Sequence, residues 1–171
     1  MERADVLLTI AQIALALAGF SGLVTLLGRP SARGGEELNQ IRFRSMVELS
    51  LLLAAFALFP FLPGPIGLDE PASWRLSSGV YAAASAVFAA HSVRRNRRRM
   101  GRVLVAGATT AILFVTLALQ ASLLGADAAG LLPGREPGAY LVALFVHFLG
   151  AAFFFIRLLY GALPGVGSWD A

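Results

Sequence analysis

Five apolar stretches, each about as long as a membrane-spanning helix, alternate with short polar connections along this chain. They cover roughly residues 5–28, 41–62, 75–93, 103–124 and 138–156. Because an α-helix rises about 1.5 Å per residue, about 20 apolar residues cross the hydrocarbon core of a bilayer. The pattern therefore predicts an all-α membrane protein, a helical bundle with five transmembrane helices in a single domain spanning residues 1–171.

Glycine, proline and acidic residues mark the ends of these stretches. The first stops at Gly28–Arg29–Pro30, and the second is broken from Pro60 onward. The third begins behind Asp69–Glu70–Pro71, and the fourth ends at Gly125, which leaves Asp127 in a connecting loop. The third stretch is the least hydrophobic. A competing interpretation therefore has four spans and leaves the third outside the membrane.

Composition supports lipid as the natural solvent of this protein. Hydrophobic residues make up 57% of the chain and charged residues only 14%, whereas soluble domains carry about 25% charged residues. There is no cysteine, which excludes disulfides, thiolate metal sites and cysteine nucleophiles. We find no internal repeat and no linker long enough to separate a second domain.

A run of arginines between the third and fourth stretches sets the predicted orientation. Residues 91–102 form the most polar stretch of the chain, which we predict to be a short cytoplasmic loop. With this loop inside, eleven of the 14 arginines lie at cytoplasmic ends and three lie outside. This predicts a multi-pass protein of a bacterial inner membrane, with its N-terminus outside. The arginines of the run are Arg94, Arg95, Arg97, Arg98, Arg99 and Arg102.

The same arginines have two further interpretations. Anionic lipid headgroups would bind them with about 1 kcal/mol per arginine near the surface. A nucleic-acid interface is disfavoured, because the run is short, close to the bilayer and without aromatic residues for base stacking. We therefore rank a topology determinant first, an anionic-lipid site second and nucleic acid last.

No enzyme signature is present, so candidate functional residues are polar side chains inside the predicted spans. Arg44 and Glu48 are four residues apart on one helix face and can pair. They are candidates for an ion path at an inner vestibule, and the alternative is a structural ion pair whose arginine extends to the surface. Gln12 and Ser21 of the first span are further pore candidates.

His147 falls near the middle of the fifth predicted span. Because the ordinary pKa of histidine is about 6.5, this side chain suits a proton-sensitive gate or relay. The alternative is a neutral histidine that hydrogen-bonds a polar group of a neighbouring helix. Gln12 and Gln120 have similar predicted depth, so they either bond each other or lie on a pore.

Small residues recur every four positions in two spans, which favours close helix packing. The first set is Ala14, Ala18 and Gly22, and the second is Ser78, Ala82, Ala86 and Ala90. One set can pack within the chain and the other can face a second copy, so we predict a homo-oligomer. Aromatic residues near the predicted span ends, Trp74, Tyr140, Tyr160 and Trp169, are typical of interfacial belts.

Together these features favour a small homo-oligomeric ion channel or transporter-like protein. The alternative is a non-catalytic scaffolding subunit that binds a partner or anionic lipid. An intramembrane enzyme acting on lipid, with Glu48 and His147 as its acid–base pair, is the least favoured hypothesis. The sequence predicts no cofactor and no metal.

Overall fold

The computed structural model describes residues 3–27, 35–100, 108–132, 134 and 136–162, and they confirm the all-α prediction. Two short 3₁₀ turns, Phe59–Phe61 and Gly64–Ile66, follow the second helix, where Pro60 and Pro65 remove backbone donors. The α-helices of the described chain are α1 (Arg3–Leu27), α2 (Gly35–Leu58), α3 (Glu70–Met100), α4 (Ala108–Ala128) and α5 (Glu136–Ala162).

Three stretches of the described chain are long and apolar enough to cross a membrane. They are Arg3–Leu26, Phe43–Ile66 and Pro137–Tyr160, which coincide with the first, second and fifth predicted spans. Helix α4 contributes a shorter apolar stretch, Val115–Ala128. A membrane location therefore agrees with the structure.

Helix α3 is longer at both ends than the predicted 75–93. It begins at Glu70, where the Asp69 side chain accepts a hydrogen bond from the Ala72 backbone N–H and caps the helix. It continues to Met100, so the predicted loop is wrong for residues 91–100. The physical reason is that arginine is a good helix former and nothing before Gly101 interrupts the helix.

The end of helix α4 also differs from the prediction. Gly125 stays helical, and the helix ends instead at Ala128, two residues before Gly130, whose φ is +70°. The Gly130 N–H bonds the Asp127 carbonyl and the Leu131 N–H bonds the Ala126 carbonyl, both at 2.9 Å. These two bonds form a Schellman cap. Asp127 therefore belongs to the last turn of α4 and not to a connecting loop.

The backbone packs into two units. The first contains the described residues up to Ala55 and from Phe148 onward. In this unit, helix α1 buries Leu7, Ala11, Ala14 and Ser21 along one face. Ala14 is fully buried, so part of the predicted small-residue face of α1 is used within a single chain.

The second unit runs from Phe56 to His147 and contains all of α3, all of α4 and the first part of α5. Ser78 contacts Asp127 and Ser85 contacts Gln120, so α3 and α4 are antiparallel. Trp74 lies against Tyr140 and Tyr81 against His147, at equal separations along both helices, so α3 and α5 are parallel.

Helix α3 is polar on its buried face and apolar on its exposed face. Ser73, Ser77, Ser78 and Ser85 are buried, whereas Val87 is 70% exposed. Leu76 and Val80 are exposed on the same outer side. This is the reverse of a water-soluble helix, which places its apolar face inside.

Candidate functional site

The second unit has a buried polar interior, which is built around one face of helix α3. Three aromatic residues, Trp74, Tyr81 and Phe88, recur at intervals of seven along α3. Three serines follow them at the same interval, four positions later in each case: Ser78, Ser85 and Ser92. An interval of seven residues is close to two helical turns, so all six lie along one face of the helix.

His147 of α5 is the centre of the first polar cluster. It is only 4% exposed, and its Nδ1 lies 2.7 Å from the Tyr81 hydroxyl. The Gln120 side-chain amide lies 3.5 Å from the same Nδ1 and donates to the Ser85 hydroxyl at 3.1 Å. Three helices therefore meet at one imidazole nitrogen.

These contacts define the protonation state that fits the cluster best. An imidazole nitrogen without hydrogen accepts from a hydroxyl and an amide, whereas one with hydrogen cannot accept from either. A neutral His147 with its hydrogen on Nε2 therefore satisfies both Tyr81 and Gln120. This is the helix-linking arrangement that the sequence offered as the alternative to a gate.

Asp127 and Ser78 form the second polar cluster, one turn of α3 away from Tyr81. Asp127 is fully buried, and one of its carboxylate oxygens accepts a hydrogen bond from the Ser78 hydroxyl. The guanidinium of Arg75 lies over Gly130, 3.4 Å from the position that a Cβ there would occupy. This places a positive charge at the C-terminal end of α4, where the helix dipole favours a cation.

Aromatic side chains enclose the Tyr81 side of this interior. Tyr81 stacks on Phe56 with ring centroids 4.4 Å apart, and Tyr140 lies 5.6 Å from Tyr81. The Tyr140 hydroxyl donates to the Phe56 carbonyl at 2.7 Å, and Trp74 meets the Tyr140 ring edge-on. Trp74 and Tyr140 are thus buried, and their predicted place in an interfacial belt is wrong.

The predicted pair Arg44–Glu48 is formed, in the first unit. Arg44 Nε donates to Glu48 Oε1 at 2.7 Å, with 53% and 28% of the two side chains exposed. An ion pair between residues on consecutive turns of a helix stabilises the helix only slightly in water when it is this exposed, by about 0.3–0.5 kcal/mol. Its geometry fits the structural alternative and also leaves both groups accessible at the surface of the unit.

The other predicted pore residues of α1 differ from each other. Gln12 is exposed on α1, whereas Ser21 is fully buried and its hydroxyl donates to the Ala18 carbonyl of the same helix at 2.7 Å. Gln120 bonds Ser85 and His147 of its own unit, whereas its alternative position on a pore stays a prediction.

The arginine run lies mostly within α3. Arg94 is exposed, and its neighbours up to Arg99 belong to the same helix. Arg102 lies outside the described residues. The remaining members, whose backbone is helical, are Arg95, Arg97, Arg98 and Arg99.

The sequence interpretation missed Asp127, Tyr81, Ser85 and the role of Gln120. One signal was available: the seven-residue recurrence of aromatic and serine residues in α3. Gln120 and Asp127 are also seven apart, as are Tyr140 and His147. Polar residues at matching intervals on three successive helices predict layers of interhelical contact.

Metal binding is not indicated by the described part of the chain, which holds no group of three or more ligands such as His, Asp or Glu. Comparison of the chain with protein-family models, curated proteins and solved structures finds no match.

Proposed function

We propose that this protein is an ion channel or transporter-like integral membrane protein, whose path runs through the polar interior of the second unit. The observation that carries the proposal is the burial of Asp127, Gln120 and His147 against the serine face of α3. Ionisable groups are costly at membrane depth, and those that persist there usually serve transport. This interior replaces the Arg44–Glu48 pair as the first candidate for the path.

We further propose the five-span topology, with α3 as one of the spans. Support comes from the outward-facing Leu76, Val80 and Val87 of α3 and Val115 and Leu119 of α4. Their exposure next to a polar interior suits a lipid environment. The alternating directions of α3, α4 and α5 suit successive crossings.

The orientation that we propose has the N-terminus outside and the C-terminus in the cytoplasm. It is supported by the arginine bias, because positive residues are retained on the cytoplasmic side. The inner membrane of a bacterium is the matching location.

A homo-oligomer is part of the proposal. Ala86 and Ala90 of α3 are exposed, so this section of a small-residue face is available to another helix. Size analysis of the purified protein in detergent, with the micelle contribution subtracted, tests for more than one copy.

The test of the proposed function is ion flux in proteoliposomes. The wild-type protein should carry at least one of H⁺, Na⁺, K⁺ and Cl⁻ faster than protein-free liposomes do. Gln120→Leu, which removes the amide at the meeting point of three helices, should abolish most of this flux. Thr9→Val, an exposed polar-to-apolar change in α1, is the matched control and should retain it.

The same liposomes decide the role of the Arg44–Glu48 pair. If Glu48→Gln and Arg44→Ala leave the flux unchanged, the pair is structural. Absence of wild-type flux for every ion contradicts the proposed function.

A second candidate function is a scaffolding subunit that binds anionic lipid. The observation that favours it is the continuation of α3 to Met100, which places Arg94 and the other arginines up to Arg99 on one helix, with Arg94 exposed. Basic residues beside a membrane helix attract anionic headgroups. This candidate predicts no ion flux and stronger stabilisation by anionic than by zwitterionic lipid.

A further inference from the structure

We propose that the transported ion is the proton, and that Asp127 and His147 hold it in turn. This inference rests on the proposed function and names its substrate. The juxtaposition that carries it is a buried carboxylate and a buried imidazole, each hydrogen-bonded to α3 through Ser78 and Tyr81.

Direct contact between the side chains points to the proton and away from larger ions. The Tyr81 hydroxyl and His147 Nδ1 are 2.7 Å apart, and the Ser78 hydroxyl is hydrogen-bonded directly to the Asp127 carboxylate. A metal cation or chloride would have to separate these pairs to pass. A proton moves along them, since each hydrogen bond is itself a route from donor to acceptor.

Both clusters are bonded to the same helix, α3. Ser78 and Tyr81 are three residues apart on one face of α3, which is about 4.5 Å of helix rise. In the proposed relay, water lies between the two hydroxyls, because a bridging water links polar groups that do not touch. The relay then consists of Asp127, Ser78, the bridging water, Tyr81 and His147.

The transfer steps balance as follows. A proton that enters forms an O–H bond on the Asp127 carboxylate, and this bond breaks when the proton moves on through the Ser78 hydroxyl and the water. Tyr81 accepts this proton on its oxygen while its own hydroxyl proton forms an N–H bond on His147 Nδ1. The resulting imidazolium releases its Nε2 proton, and rotation of the hydroxyls and exchange of the imidazole tautomer restore the starting state.

The groups that surround Asp127 and His147 come from α3, α4 and α5. Asp127 faces Ser78 on α3, and the Arg75 guanidinium lies over Gly130 in the same helix cap. His147 faces Tyr81 on α3 and Gln120 on α4, and Tyr140 of α5 lies beside the Tyr81 ring. Gln120 and Ser85 remain neutral at all physiological pH values, so they position the imidazole without competing for the proton.

Proton uptake by full-length protein in liposomes with an internal pH-sensitive dye tests this inference. A potassium diffusion potential set by valinomycin supplies the driving force. Asp127→Asn and His147→Gln keep hydrogen-bonding capacity but lose the exchangeable proton, so each should lower proton flux by about a hundredfold or more. Tyr81→Phe, which breaks the relay but not the stacking on Phe56, should also lower it.

Matched controls exist for two of these changes. Asp5→Asn removes an exposed carboxylate of α1, and Tyr160→Phe removes an exposed hydroxyl of α5. Both should retain wild-type flux. Asp127→Glu, which restores a titratable carboxyl, should recover flux relative to Asp127→Asn, and so separates loss of the proton site from misfolding.

A measurement independent of transport accompanies these assays. Infrared difference spectra between acid and alkaline pH should show a carboxylic acid C=O band in the wild type that is absent from Asp127→Asn. Proton flux that persists in Asp127→Asn or His147→Gln overturns the inference. Sodium, potassium or chloride flux without proton flux also overturns it but leaves the proposed function standing, whereas no flux of any ion overturns both.

Discussion

At the scale of single residues, the interior of the second unit depends on a few polar atoms that bond a partner on another helix. Tyr140 bonds the Phe56 carbonyl, Tyr81 bonds His147, and Ser78 bonds Asp127. Interhelical hydrogen bonds in membranes average about 0.6 kcal/mol each, so their value lies more in fixing positions than in stability.

Gly130 is the residue whose replacement has the clearest expected effect on stability. Its φ of +70° disfavours any side chain, and a Cβ would lie 3.4 Å from the Arg75 guanidinium carbon. Gly130→Ala should therefore lower the free energy of unfolding by about 1 kcal/mol. Unfolding by SDS in mixed micelles, followed by circular dichroism, measures the change.

Gly125 is the control for this prediction. It is helical, and no atom of the described chain lies within 4 Å of its Cβ position. Gly125→Ala should be neutral or stabilising by up to about 1 kcal/mol, because alanine is the better helix former. Equal destabilisation by both substitutions would contradict the Schellman cap at Gly130.

At the scale of elements, the sequence predicts where helices exist better than where they end. Apolar length alone identifies α1, α2 and α5, since lipid requires about 20 apolar residues in a row. The predicted helix ends are wrong where two sequence signals compete. Gly125 suggested the end of α4, but the helix cap forms at Gly130. The charged run suggested a loop, but its arginines extend α3.

The candidate site was predictable only in part. His147 was found because a histidine inside an apolar run is conspicuous, and its bond to Gln120 matches the interhelical alternative. Asp127 was missed because the predicted end of α4 at Gly125 placed it in a connecting loop. Tyr81 and Ser85 were missed because a single serine or tyrosine in a helix is common. They become informative only when the seven-residue spacing in α3 is compared with the same spacing of polar residues in α4 and α5.

The extension of α3 to Met100 gives an element-scale prediction. The chain has no cysteine, so a single cysteine introduced at each of positions 91–100 carries a unique spin label. Helical structure predicts that label mobility varies with a period of about 3.6 residues. Positions 80–87, which include buried Ser85 and exposed Val87, provide the reference pattern.

A loop would give high mobility at all ten positions. In that case the arginine run would not be a continuation of α3, and the helical basic segment of the second candidate function would be lost.

At the scale of the whole molecule, the proposed topology predicts which positions face each side of the membrane. Cysteines that replace the exposed Ile66 and Leu131 should react with an impermeant maleimide on intact cells stripped of their outer membrane. A cysteine in place of exposed Arg94 should react only after the membrane is opened. Positive charges near span ends are the physical reason for this sidedness.

Two outcomes would contradict this arrangement. Labelling of Ile66 and Arg94 from the same side would mean that α3 does not cross, which is the four-span interpretation. Labelling of Arg94 alone from outside would keep the five spans and reverse their orientation.

The seven-residue recurrence along α3 has a consequence for register. A slide of α3 by one interval, about 10.5 Å, would bring Ser85 to the place of Ser78 and Phe88 to the place of Tyr81. Serine would again face α4 and an aromatic ring would again face α5, so shape alone does not select one alignment. The correct alignment is selected by the phenol oxygen of Tyr81, which Phe88 lacks, and by the difference between the carboxylate of Asp127 and the amide of Gln120. The polar atoms that we assign to the proposed proton relay thus also determine the register of α3 against α4 and α5.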